Sequence, residues 1–126
     1  MYYHKYSLMK FTGTLLRIIN QLRVYHWLCD TYAQHKAYGS AYDDLSDLVD
    51  TFTEVYMGKY GKTNNNITLD IELSTDTATS TEFIDSAINF LLKINEMASE
   101  EDTDLLNIRD EMLSSLNKLK YLLTLK

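Results

Sequence analysis

The sequence predicts an all-α protein, a four-helix bundle with one long crossover between its second and third helices. Three observations carry that expectation. The 126 residues include no proline and only four glycines, so almost nothing interrupts long helices. Apolar residues recur in steps of three and four along four separate stretches, the period of a helix with one buried face. That period fails over one long stretch, residues 61–78. Apolar residues form 45% of the chain and charged residues 24%, a balance that suits a folded chain, and the length suits one domain, 1–126, around one core.

The first helix carries its stripe at Leu8, Phe11, Leu15, Ile18, Leu22 and Tyr25. Asp30 and Thr31 end it, and Thr31 followed by Gln34 reads as a capping box opening the second helix. The second runs from about Tyr32 to Tyr60, with its stripe at Tyr42, Leu45, Val49, Phe52 and Tyr56, and stops where Gly58 and Gly61 bracket Lys59 and Tyr60. Ser40 with Asp43 offers a competing cap, so Gly39 is a candidate kink.

Within 61–78, Ile67, Leu69, Ile71 and Leu73 alternate with Thr68, Asp70 and Glu72, a period of two that suits a short extended segment lying on the bundle or pairing with a second copy. Thr79 with Glu82 reads as another capping box, and Ile84, Ala87, Leu91, Ile94 and Ala98 stripe the third helix. The fourth opens near Asp102 or Thr103 and carries Leu105, Ile108, Met112, Leu116, Leu119 and Leu123. Eighteen extended residues span up to ~60 Å against ~30 Å for a twenty-residue helix, so the middle connection is able to cross the bundle's full length.

Charge is unevenly placed. Residues 1–36 hold five Lys/Arg against Asp30, residues 37–61 hold five acids against Lys59, and the net charge is −6. This asymmetry suits contacts between copies rather than nucleic-acid binding. The charges spaced along residues 1–28 leave no signal-peptide core and no membrane span, and a single cysteine, Cys29, suits a reducing compartment such as a cytoplasm.

Asp43, Asp47, Asp50 and Glu54 follow a +4, +3, +4 spacing and line the helix face opposite the second stripe. A solvated acidic face is one reading; a cation site between subunits is the other. His26 and His35 flank the first turn, and imidazole with carboxylate is a common ligand set for iron or zinc. On one continuous helix the two histidines would point ~180° apart, so a shared site needs the break near Asp30. Each histidine taken alone also suits a packing or capping role.

The run His26-Trp27, His35, then Asp50 and Glu54 in the frame D-x-x-x-E resembles the signature of Dps-type miniferritins, within the ferritin-like superfamily. The resemblance implies a homo-oligomer whose ferroxidase centre takes histidines from one subunit and the carboxylate pair from a neighbour, so iron is the implied metal, with His26, His35, Asp50 and Glu54 as its ligands. The spacing from His35 to the pair matches; the gap from His26 to His35 is about three residues shorter. Gly39 stands where the family places a further acidic ligand, and the basic DNA-binding tail is absent. The chain is also similar to small uncharacterised ferritin-like proteins of phages and large DNA viruses, through the same run and the stretch from Asp104 to Glu111. The competing expectation is a non-catalytic bundle used for assembly, such as a structural or accessory component of a viral particle, held together by tyrosine-rich helix faces and the 67–73 segment.

Other chemistries find no motif: there is no phosphate loop, no C-x-x-C and no G-x-S-x-G. Cys29 reads as an inert thiol on the core stripe, and Arg109, Asp110 and Glu111 as a surface ion-pair cluster.

Overall fold

The computed structural model describes residues 2–62, 66–69 and 72–125, with side chains from Phe11 onward. Four helices carry the fold: α1 (Tyr2–Leu28), α2 (Tyr32–Tyr60), α3 (Ser80–Lys93) and α4 (Thr103–Leu122), with 3₁₀ turns at Thr77–Thr79 and Ile94–Glu96. Among the described residues there is no strand.

Contacts fix the direction of each helix. The three-residue turn after Leu28 sends α2 back along α1. The start of α3 lies beside the start of α2, where the Tyr38 hydroxyl donates to the Ser80 Oγ at 2.8 Å. α3 therefore runs parallel to α2 and antiparallel to α1, and the ring pairs Tyr25 with Phe83 and Phe11 with Phe90, at 6.1 and 6.0 Å, agree. α4 begins beside the end of α2, where the Lys59 Nζ lies 2.8 Å from an Asp104 carboxylate oxygen. The order is up, down, down, up, with the one long crossover between α2 and α3 that the hydrophobic pattern requires.

The stripes form the core. Phe11, Leu15, Ile18, Leu22 and Tyr25 of α1 are buried, as are Leu45, Val49, Phe52 and Tyr56 of α2, Ile84, Ala87 and Leu91 of α3, and Leu105, Met112, Leu116 and Leu119 of α4. Leu8 lies outside the described side chains. Tyr42 and Ile108 are half-buried flanks of the stripes.

The crossover lies along α1 at two points. Gln21, 1% exposed, donates from Nε2 to the Ser74 carbonyl and accepts from the Ser74 N–H, both at 2.8 Å. At Gly13 the backbone of Thr68 comes so close that a Cβ would sit 2.1 Å from its carbonyl oxygen. The alternation over 67–73 produces no strand among the described residues: Ile67 is exposed, Leu69 and Leu73 are half-buried, and Asp70 and Ile71 lie outside the described residues.

Several local expectations are corrected. α2 is continuous through Gly39 and Ser40, because intact helical hydrogen bonding outweighs one glycine's cost of about 1 kcal/mol. Thr79 makes no cap to α3; its hydroxyl donates to the Asp76 carbonyl, while Asp76 caps the preceding 3₁₀ turn through the Ala78 N–H. α3 gives way to a 3₁₀ turn at Ile94, so Ala98 lies beyond the helix. Arg109 is not a surface ion pair. It is 5% exposed and donates to the Leu91 carbonyl at 2.9 Å and the Asn95 side-chain oxygen at 2.7 Å, with Nε on Asp110 at 3.0 Å. A buried guanidinium thereby adds a second donor to the Leu91 carbonyl, which already accepts from the Ile94 N–H, and ties α4 to the end of α3.

Candidate functional site

The break between α1 and α2 is built by its own polar groups. Thr31 caps α2 by accepting from the Gln34 N–H at 3.1 Å, and the Gln34 side chain reaches back to the Asp30 N–H at 3.2 Å. This is a capping box shifted by one residue, and it turns the chain sharply enough to bring together two histidines nine positions apart. Their rings stack with centroids 3.7 Å apart and planes 20° from parallel.

Each ring is tied to the other's backbone. The His26 Nδ1 lies 2.6 Å from the His35 carbonyl oxygen and the His35 Nδ1 lies 2.9 Å from that of His26. A carbonyl only accepts, so both Nδ1 atoms carry the proton, and in the neutral rings both Nε2 atoms hold the lone pair that a metal needs. The stack also sets a limit. Lone pairs lie in the ring planes, and planes this nearly parallel do not meet at the ~2.0–2.1 Å of a metal–imidazole bond. The two Nε2 atoms are separate donors rather than one chelate.

Gly39 explains how the pair fits. A Cβ there would lie 3.0 Å from His26 Cε1 and 3.1 Å from its Nδ1. The His26 ring occupies the space that an acidic side chain at this position would need.

The carboxylates stand elsewhere in the chain. Asp43, Asp47, Asp50 and Glu54 are all exposed, on the face turned from the core, as their spacing requires. From His35 to Asp50 is fifteen residues, or ~22 Å along α2, so one chain cannot close an ion between them. Among the described residues, no group of three or more His, Cys, Asp or Glu side chains is placed to hold a metal.

Cys29 departs from the core stripe: it is half-buried in the turn, with its thiol donating weakly toward the His26 and Thr31 carbonyls at 3.5 and 3.7 Å. Burial, against the help of backbone N–H groups, pushes its pKa up, so the thiolate is disfavoured. It lines a cavity of about 370 Å³ with Asp30, Tyr38, Ser80 and Leu123.

What the sequence did not single out is the exposure around the turn. Trp27 is 66% exposed and Tyr32 74%, with Leu28 beside them. Tyr32 extends the ring stack to His35 at 6.1 Å, and the Lys36 Nζ sits 5.9 Å from the Tyr32 ring centroid. A signal existed: Trp27 lies two residues past the stripe residue Tyr25, ~200° around the helix, which turns it away from the core.

No helix among the described residues is long and apolar enough to cross a membrane. No solved structure matches the chain. It is 29% identical over 118 residues to a protein of Enterobacteria phage T4 described as an uncharacterized 14.6 kDa protein in the mobD-ri intergenic region, covering 93% of this chain and 88% of the phage protein. The matched stretch of the family profile is residues 26–123, opening at His26 and taking in the turn, α2, the crossover, α3 and α4, and the chain belongs to this family of unknown function, DUF5856.

Proposed function

We propose that this protein is a helical-bundle subunit that works by associating with copies of itself, with the α1–α2 turn as the contacting surface. The observation that carries this reading is that three large apolar side chains within six residues of the α1–α2 turn, Trp27, Leu28 and Tyr32, are all exposed. Large apolar side chains grouped in this way mark a protein contact, whereas scattered ones do not. The relation to a phage protein suits a place in the host cytoplasm or in the virion. Solution mass as a function of concentration tests it: the wild type gains mass as concentration rises, and Trp27→Ala/Tyr32→Ala stays a monomer. Equal masses for the two would refute the reading.

A second reading keeps the miniferritin resemblance. Here iron binds where copies meet, His26 and His35 of one copy each offering its Nε2 to a separate ion, because their stacked rings do not chelate one, with Asp50 and Glu54 of another copy as the carboxylate ligands. The tautomer lock favours it, since both Nε2 atoms are free to donate. Gly39 weighs against a full ferroxidase centre, because it supplies no carboxylate where the family has its further acid and its bare Cα lets the His26 ring pack close. Ferrous-iron binding by wild type but not by His35→Ala supports this reading; equal uptake by both ends it.

A further inference from the structure

The association reading leaves open what receives the turn, and the inference here rests on that reading. α2 and α4 leave between them a groove of about 540 Å³. Leu48 and the small side chains of Ser114 and Ser115 line it, and Asp44, Asp47 and Glu111 stand along its edges, with Lys118 beside them. The ion pairs to Asp85, Asp102, Asp104 and Asp110 do not involve those three edge acids, and with Lys118 as the one cation lining the groove among the described residues its rim carries a surplus of negative charge. The turn offers what the groove lacks, two exposed aromatic rings with the Lys36 ammonium over one of them, although Asp30 is exposed there too.

We propose that the α1–α2 turn of one copy seats in the α2–α4 groove of a second, Trp27 and Tyr32 covering Leu48 and Lys36 facing Asp44 and Asp47. The groove has room for two aromatic side chains, and the serines let the incoming backbone approach closely. The contact is between copies and not within one chain, since Tyr32 and Asp44 are twelve residues apart on the same rigid helix, ~18 Å. With two aromatic anchors at ~150–250 Å² each, it belongs among the smaller, weaker protein contacts, and its charges make it weaker still as salt rises. Knob and groove are different patches, so each added copy leaves one of each unused. Assembly therefore grows head to tail unless a ring closes.

Sedimentation velocity on the full chain, with circular dichroism to confirm folding, tests this with two variants that change only exposed residues. Trp27→Ala/Tyr32→Ala removes the knob and keeps the groove; Asp47→Lys/Glu111→Lys does the reverse. Each alone self-associates at least about tenfold more weakly than wild type, and an equimolar mixture forms a 1:1 pair that grows no further. If Asp47→Lys/Glu111→Lys assembles like wild type while the knob variant does not, association stands and the groove is the wrong receiver. Loss of assembly in Asp50→Ala/Glu54→Ala, with the groove variant unaffected, moves the receiver to the outer face of α2 and overturns the proposal. A wild type that stays monomeric at every concentration overturns both the association reading and this inference.

Discussion

His26 and His35 clasp one another across the α1–α2 turn, each Nδ1–H donating to the other's carbonyl, at 2.6 and 2.9 Å, beneath rings stacked 3.7 Å apart. The clasp depends on Gly39, whose missing side chain leaves room for the His26 ring. Gly39→Ala gains about 1 kcal/mol of helix propensity and loses a hydrogen bond worth a similar amount, so its effect on stability is close to zero. Nitrogen chemical shifts of the imidazoles provide the useful readout. Nδ1 protonation of His26 is lost in the variant and kept in wild type; an unchanged His26 spectrum would show that the ring does not depend on Gly39.

Asp102 gives the fold a pH dependence. Its carboxylate, 3% exposed, accepts from the Ser99 N–H at 2.9 Å and the Tyr60 hydroxyl at 2.5 Å and pairs with Lys59 at 3.2 Å. Burial alone would raise its pKa, but these donors outweigh burial and bring it from 3.8 down to about 2. A folded-state value below the unfolded one adds stability that is fully present above pH 3.8 and is lost as pH falls through about 2. The contribution is about 2 kcal/mol. Denaturant unfolding at several pH values should show wild type losing that increment below about pH 4, and Asp102→Asn losing much less of it. Parallel curves would contradict the assignment.

Arg109 joins α4 to the end of α3. Lysine cannot reproduce a planar fork reaching Leu91, Asn95 and Asp110 together. Both Arg109→Lys and Arg109→Met should therefore cost about 2–3 kcal/mol through unmade buried hydrogen bonds. A cost below about 0.5 kcal/mol, the scale of an exposed pair, would return Arg109 to the surface role its sequence neighbours suggest.

At Gly13 the usual sign of a glycine substitution reverses. Alanine inside a helix normally stabilises by about 1 kcal/mol, but here a Cβ would meet the Thr68 carbonyl at 2.1 Å. Gly13→Ala should lower the melting temperature and speed proteolysis within 61–76, where Gly58→Ala, with open space around its Cβ, should not. Stabilisation by Gly13→Ala would mean the crossover does not lie on α1.

The bundle was legible in the sequence because its signal repeats: five buried α1 residues and four from α4 sit where a three-and-four spacing puts them. The helix ends at Tyr32 and Tyr60 could be read from Thr31 and Gly61; the latter takes a φ of 93° that glycine adopts without strain. The lone contacts left no such trace. That Arg109 is buried, or that Gln21 holds the crossover, depends on partners 14 to 53 residues away, which no local period encodes. The acidic face of α2 was legible as an exposed stripe. The histidine pair was legible as a possibility once the turn was placed, but its stacking and its dependence on Gly39 were not, because ring packing is set by a few ångströms of turn geometry.

Association through the turn is the central claim, and sedimentation velocity of wild type beside Trp27→Ala/Tyr32→Ala over a wide concentration range tests it most directly. The account predicts a weight-average mass that climbs with concentration for wild type and stays at 14.7 kDa for the variant. A wild type that stays at the monomer mass throughout would contradict it.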